Sequence, residues 1–454
     1  MLSVHFDSLT SVAAWLKRRE ITSTALTLTL LDRIESINPR LNAYLTVTAD
    51  EALAAAREAD AECDAGRWRG PLHGMPIAVK DNIAVAGVRM TAGSALRPDE
   101  VPARDAEVVA RLRAAGAVLL GKTGMHELAY GTTGLNPFFG DTVNPWGPRL
   151  DPGGSSGGSA VAVAAGLAFA ALGTDTACSV RYPAHCCGVT GFKPTQHTVS
   201  TTGVVPLVPS LDHIGWFTRG IDDCHAVWRA LGVRGANAAL DVPLACAPRI
   251  GVLASGLDNA EPDLARTVED ALARLERAGA TLIDCESPWW SEADELTGLL
   301  FREAWQTFAE PFAAEPGRFS AELRAKLARK AAIGEDAWRD ALQRRTRFVA
   351  HMERLAENVD VLVMASAQTL PVSLDAIPPD YDQLASRNAA LFNLSGQPSL
   401  SMRCGFARGR WPVGLLISAR RGQDELLLAA ARWIEVQIMA EQHRPPVLLK
   451  HNGV

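Results

Sequence analysis

Apolar residues recur three and four apart over residues 8–34 and again over 48–65, the spacing that gives a helix one buried face. Residues 67–74 (RWRGPLHG) break that period. From Met75 the texture changes: short apolar runs at 77–79 and 118–120 flank a helical stretch at 105–115. The small-residue apolar run 160–172 predicts a helix. Further strands are predicted near 250–253, 281–284, 361–364, 399–402 and 413–418. Amphipathic helices fill most of 262–358, and a closing helix covers 423–440. Such alternation predicts an α/β fold, a central mostly parallel mixed β-sheet with helices on both faces. Residues 1–70 are expected to form a helical segment packed on a core domain of residues 71–454. Within that domain, residues 286–358 read as a helical, cap-like insertion carrying Trp289, Trp290, Trp305, Phe308, Phe312 and Trp338. Residues 121–220 hold more Gly, Ser, Thr and Pro than connectors need, which marks functional loops.

Composition narrows the classes. The 454 residues are 48% hydrophobic, enough for a large core, and carry a formal charge of −6 from 45 basic and 51 acidic side chains. With Lys and Arg scattered, nucleic acid is not an expected partner. The start of the chain lacks a basic stretch followed by a long apolar one, and run 160–172 is shorter than the roughly 20 residues a membrane span needs. The expectation is a cytoplasmic protein with no membrane partner. Eight cysteines without a CxxC pair read as reduced, buried thiols and give no support to a zinc site.

The candidate chemistry lies in the stretch from Gly153 to Arg181, GGSSGGSAVAVAAGLAFAALGTDTACSVR. It sets Ser155 and Ser179 at the two ends of one short element, and upstream PIAVKDN ends an apolar run on Lys80. A serine attacks a carbonyl only when a base takes its proton. A lysine can be that base if burial makes it neutral, against its ordinary value of about 10.4. The bland reading is that Lys80 pairs with its neighbour Asp81. The loop at 153–159 has rival readings too. A linker is at odds with the apolar run that follows directly. A phosphate cradle lacks the Gly-Lys-Ser/Thr ending. Gly154-x-Ser156-x-Gly158 matches a nucleophile elbow, but residues 148–152 (PRLDP) are no apolar strand. What remains is a serine held by glycine turns, facing the small residues 173–179, whose amides suit an oxyanion hole.

GGSSGGSA, GTDT-x-x-S-x-R-x-PA, GFKPT at 191–195, GMPIAVKDNI, AGAVLLGKTGMHEL and WPVGLLISARRGQDELLL together resemble the amidase signature family, in order and from about residue 70 onward. The resemblance implies a Ser–cisSer–Lys triad: Ser179 as nucleophile, Ser155 as the relay serine with a cis peptide, and Lys80 as base. It places the oxyanion hole at Thr176, Ala177, Cys178 and Ser179, a bracing pair at Asp175 and Arg181, and pocket positions at Met125 and Gly154. It implies no metal and no organic cofactor. Ser156 becomes a bystander, and Lys122 a structural charge.

Two positions depart from the family. Ala177-Cys178 stands where Gly-Gly is usual, so a Cβ there is strained if either position needs a positive φ. Cys178 with His185 also opens a thiol-nucleophile alternative. His185 itself, where a bulky apolar residue is more common, reads as a hydrogen-bonded structural histidine. The expected function is hydrolysis of small aryl or alkyl amides through a Ser179 acyl-enzyme. A carbamate (urethane) hydrolase using the same triad is one alternative. The glutaminase subunit of a tRNA-dependent amidotransferase is another. The expected partners are a small amide or carbamate and, as an open alternative, a second copy of the chain in a homodimer.

Overall fold

A computed structural model describes residues 4–232, 244, 246–286, 289–438 and 444–446. Its centre is an eleven-stranded sheet: β1 (Tyr44–Val47), β2 (Pro76–Lys80), β3 (Val118–Thr123), β4 (Ala170–Asp175), β5 (Thr190–Lys193), β6 (His213–Thr218), β7 (Arg249–Val252), β8 (Thr281–Asp284), β9 (Val361–Ala365), β10 (Ser399–Ala407) and β11 (Trp411–Ser418). The spatial order is β1-β3-β2-β4-β6-β5-β10-β11-β9-β7-β8. The sheet is mixed. Parallel pairing joins β3-β2-β4 toward one end and β9-β7-β8 toward the other. Antiparallel pairing runs through the middle, where short returns are possible.

The first helices are α1 (Leu9–Lys17), α2 (Ser23–Leu41), α3 (Ala49–Asp64) and α4 (Glu107–Ala114). Next come α5 (Gly157–Ala164), α6 (Arg181–Cys187), α7 (Ile221–Ala230) and α8 (Pro262–Arg277). Then follow α9 (Trp290–Leu300), α10 (Arg302–Ala314), α11 (Ala321–Ala331), α12 (Glu335–Leu355), α13 (Tyr381–Leu394) and α14 (Asp424–Ile438). Among the described residues no helix is long and apolar enough to cross a membrane.

The run 160–172 is where the reading from pattern fails. It is not one helix: α5 ends at Ala164, Gly166 takes φ +68°, and the chain re-enters the sheet as β4. A left-handed glycine just past the last turn stops a helix. The apolar residues beyond it then supply a strand buried on both faces, whose periodicity is indistinguishable from that of a buried helix. α5 itself is buried at all eight positions. Its small residues let the strands approach: a Cβ on Gly158 would lie 2.5 Å from both backbone N and O of Gly124. The helical reading of the first 70 residues also missed β1, which closes the sheet edge against β3. All eight cysteines are free, with Cys246 exposed rather than buried.

Candidate active site

β2 delivers Lys80 as its last residue, fully buried. Lys80 Nζ donates to Ser155 Oγ and to Thr174 Oγ1, both at 2.7 Å. Asp81 does not pair with it. Its carboxylate meets Lys122 at 3.2 Å and accepts from Thr91 N at 2.9 Å and from the Thr91 hydroxyl. Successive side chains along an extended backbone point to opposite sides, which sends the two charges apart. Burial pushes the Lys80 ammonium down to about 7, although the Asp175 charge pulls the other way.

Ser155 and Ser156 lie in the turn that opens α5. The Gly154–Ser155 peptide bond is cis. Ser155 O accepts from His126 N at 3.1 Å, and Ser156 N donates to Ser179 O at 3.3 Å. Ser156 Oγ donates to Thr174 O at 3.1 Å, so this hydroxyl is engaged with the β4 backbone. Ser155 and Ser156 are 0% exposed, whereas Ser179 retains 6%, and only the last presents surface to an incoming molecule. Among the described residues no hydrogen bond joins the Ser155 and Ser179 hydroxyls.

β4 sorts its end residues by alternation. Thr174 and Thr176 face the lysine side, where Thr174 Oγ1 also accepts from Asn82 Nδ2 at 3.1 Å and Thr176 Oγ1 donates to Asp212 Oδ1 at 2.6 Å. Asp175 faces away, into a buried ion pair with Arg181 at 2.7 Å. Val180 N donates to Asp175 Oδ2 at 2.9 Å, and Asn393 Nδ2 to Asp175 Oδ1 at 3.0 Å. Burial alone would raise this carboxyl, but the Arg181 charge and hydrogen bonds and the Val180 amide hold it well below the usual carboxylate range. Arg181 also donates to Ala177 O at 3.0 Å and Ala389 O at 2.6 Å. The loop between them is thus clamped at its base. The amides of Ala177, Cys178 and Ser179 make no hydrogen bond to another described residue. Neither Ala177 nor Cys178 has a positive φ, so the Cβ strain that Gly-Gly replacement threatened does not arise.

The rival nucleophile is poorly served. Cys178 is 1% exposed, and burial pushes its thiol well above the ordinary value. His185 stands apart from it chemically: its Nδ1 accepts from Gly414 N at 2.8 Å and its Nε2 meets Thr369 O at 3.2 Å. Burial lowers His185 to about 4.

Beside Thr174 and Thr176 lies a cavity of about 70 Å³, lined by Asn82, Ala129, Val205, Leu207 and Asp212 among others. Met125 and Gly154 do not line it. Met125 is buried with its carbonyl bonded to Asn136 Nδ2 at 2.9 Å, and Gly154 packs on backbone: a Cβ there would fall 2.5 Å from Thr133 O. Helices α10 and α11 approach this region. Thr307 Oγ1 bonds Leu207 O at 3.4 Å, the Tyr130 and Phe301 rings sit 5.3 Å apart, and Lys326 Nζ donates to Tyr130 O at 3.2 Å. Sequence reasoning missed Thr174, Asn82 and Asp212. Period-2 alternation through GTDT, read as a strand end, is the signal that pairs Thr174 with Thr176. Among the described residues, no group of three or more His, Cys, Asp or Glu is placed to hold a metal ion.

A family model described as Amidase matches residues 25–428. A glutamyl-tRNA(Gln) amidotransferase subunit of Moorella thermoacetica is 36% identical, with 95% of this chain and 96% of that protein covered. A putative amidase, AmiD, of Mycobacterium bovis is 34% identical over 97% and 96%. A crystal structure of an amidase superposes with a TM-score of 0.89 at 32% identity, covering 95% of this chain and all of that one.

Proposed function

The chain belongs to the amidase family and is an amidohydrolase, and we propose that it cleaves the C–N bond of small aryl or alkyl amides through a Ser179 acyl-enzyme. One observation carries this reading: a buried lysine near neutrality, 2.7 Å from a serine hydroxyl and without a carboxylate of its own. Neutral Lys80 directs one N–H to Thr174 and its lone pair to the Ser155 hydroxyl. Ser155 passes its proton to Lys80 and takes that of Ser179, whose side chain turns toward it as the substrate enters. Ser179 Oγ then attacks the carbonyl carbon. The amides of Ala177, Cys178 and Ser179, with Thr176 beside them, receive the oxyanion. The relay returns its proton to the departing nitrogen, and water attacks the acyl-enzyme by the same route in reverse. Val205 and Leu207 supply apolar lining to the cavity beside Thr174 and Thr176, and Thr307 on α10 bonds the Leu207 carbonyl behind it.

A second reading is favoured by the likeness to the Moorella amidotransferase protein: glutaminase chemistry at the same triad, with ammonia passed to a partner. A panel of 4-nitroacetanilide, phenylacetamide, an aryl urethane and glutamine separates them. Turnover of the aryl amides by the isolated chain is the expected result. Turnover of the urethane alone moves the assignment to carbamates, and turnover of glutamine only, dependent on a partner protein, overturns the stand-alone reading.

A further inference from the structure

Lys326, on α11 of the insertion, is almost wholly buried, 8% exposed, and sits between two carboxylates. Its Nζ lies 2.7 Å from Glu322 Oε1 and 2.8 Å from Asp382 Oδ2, donates to Tyr130 O at 3.2 Å, and stands 5.5 Å from the Tyr130 ring centroid. Asp382, in the first turn of α13, accepts from Thr132 Oγ1 at 2.5 Å. Glu322 lies 3.6 Å from His126 Nε2, and His126 Nδ1 is 3.2 Å from both Thr133 O and Thr133 Oγ1. Two helices far apart in sequence, α11 and α13, thus converge on the turn 126–133.

That turn bears directly on the relay serine. His126 N donates to Ser155 O, and the Thr132–Thr133 backbone lies so close to Gly154 that a Cβ there would meet Thr133 N at 2.6 Å and Thr132 C at 2.7 Å. Close-packed groups transmit displacement because no void absorbs it. We propose that Lys326 is a positioning residue for the hydrolysis: through Asp382 and Thr132 it fixes the turn against Gly154 and so holds the Ser155 hydroxyl on Lys80. This rests on the reading of Ser155 as relay. It gives the insertion a role in the chemical step besides shaping the pocket.

The test is the rate at which a fluorophosphonate labels Ser179, which needs the relay but not an amide substrate, followed together with kcat, KM and the melting temperature. Thr132→Val removes the bond to Asp382 while keeping shape and charge, so it reports even if Lys326→Met fails to fold. The expected result for Thr132→Val and folded Lys326→Met is labelling and kcat both lowered about tenfold, with KM within about twofold. Lys326→Arg should recover much of the loss. Labelling of folded Thr132→Val at the wild-type rate overturns the proposal. Ser155→Ala separates the two levels: if it labels slowly and Thr132→Val does not, only the positioning role fails, and if it labels normally, the relay reading beneath it fails as well.

Discussion

Asp81 takes its ion pair from Lys122, 3.2 Å away, and leaves its chain neighbour Lys80 to two hydroxyls. One buried lysine is thereby paired and structural and the other is freed for chemistry. Lys122→Met should strand a buried carboxylate and cost about 3–5 kcal/mol in urea unfolding. Adding Asp81→Asn should restore much of that loss. Equal stability of the single and double variants would mean that the pair is not what Lys122 serves.

The Lys80 value near 7 sets a pH profile. The base works deprotonated, so kcat/KM should climb about tenfold per pH unit below pH 7 and level off above it. A stability effect accompanies this. The folded value lies below the ordinary 10.5, so at pH 7 folding sheds roughly half of the proton that the unfolded chain holds. Lys80→Met should therefore abolish turnover while raising stability at pH 7. The gain should shrink as pH rises toward 10.5, where the unfolded lysine is neutral too.

Ser179 and Ser156 should separate cleanly. Ser179→Ala is expected to lower kcat by more than about 10³-fold. Ser156→Ala loses its bond to Thr174 O and the long one it accepts from Thr174 N, which should cost about 1 kcal/mol of stability and leave kcat within a few-fold. Steady-state kinetics beside urea melts read both.

Negative φ at Ala177 and Cys178 means that restoring glycine relieves nothing. Ala177→Gly should destabilise by about 0.4–1 kcal/mol through the added freedom of the unfolded chain. Cys178→Ala should keep kcat, since a thiol held un-ionised is a poor nucleophile. Loss of all activity in Cys178→Ala would favour the thiol alternative.

The Lys80–Ser155 contact of the candidate site was legible because its residues stand at element ends, where glycine, lysine and serine break an apolar pattern. Lys80, Ser155 and Ser179 each follow such a break. Thr174 was not legible because β4 was hidden in the run 160–172, whose continuous apolar character suits a buried helix and a buried strand equally. Asp212 and Lys326 lay further out of reach. Their contacts with Thr176 and with Tyr130 span 36 and 196 residues, and no local pattern records a pairing of that kind. The sheet edge made by β1 was missed for the opposite reason: four residues between two helices are too few to show a period.

The most direct measurement of the central claim is peptide-level identification of the side chain that a fluorophosphonate modifies, with rates compared in wild type, Lys80→Met and Ser155→Ala. The account predicts a single adduct on Ser179, formed at least about tenfold more slowly in both variants. An adduct on Ser156 or Cys178, or labelling of Ser179 that ignores Lys80 and Ser155, would contradict it.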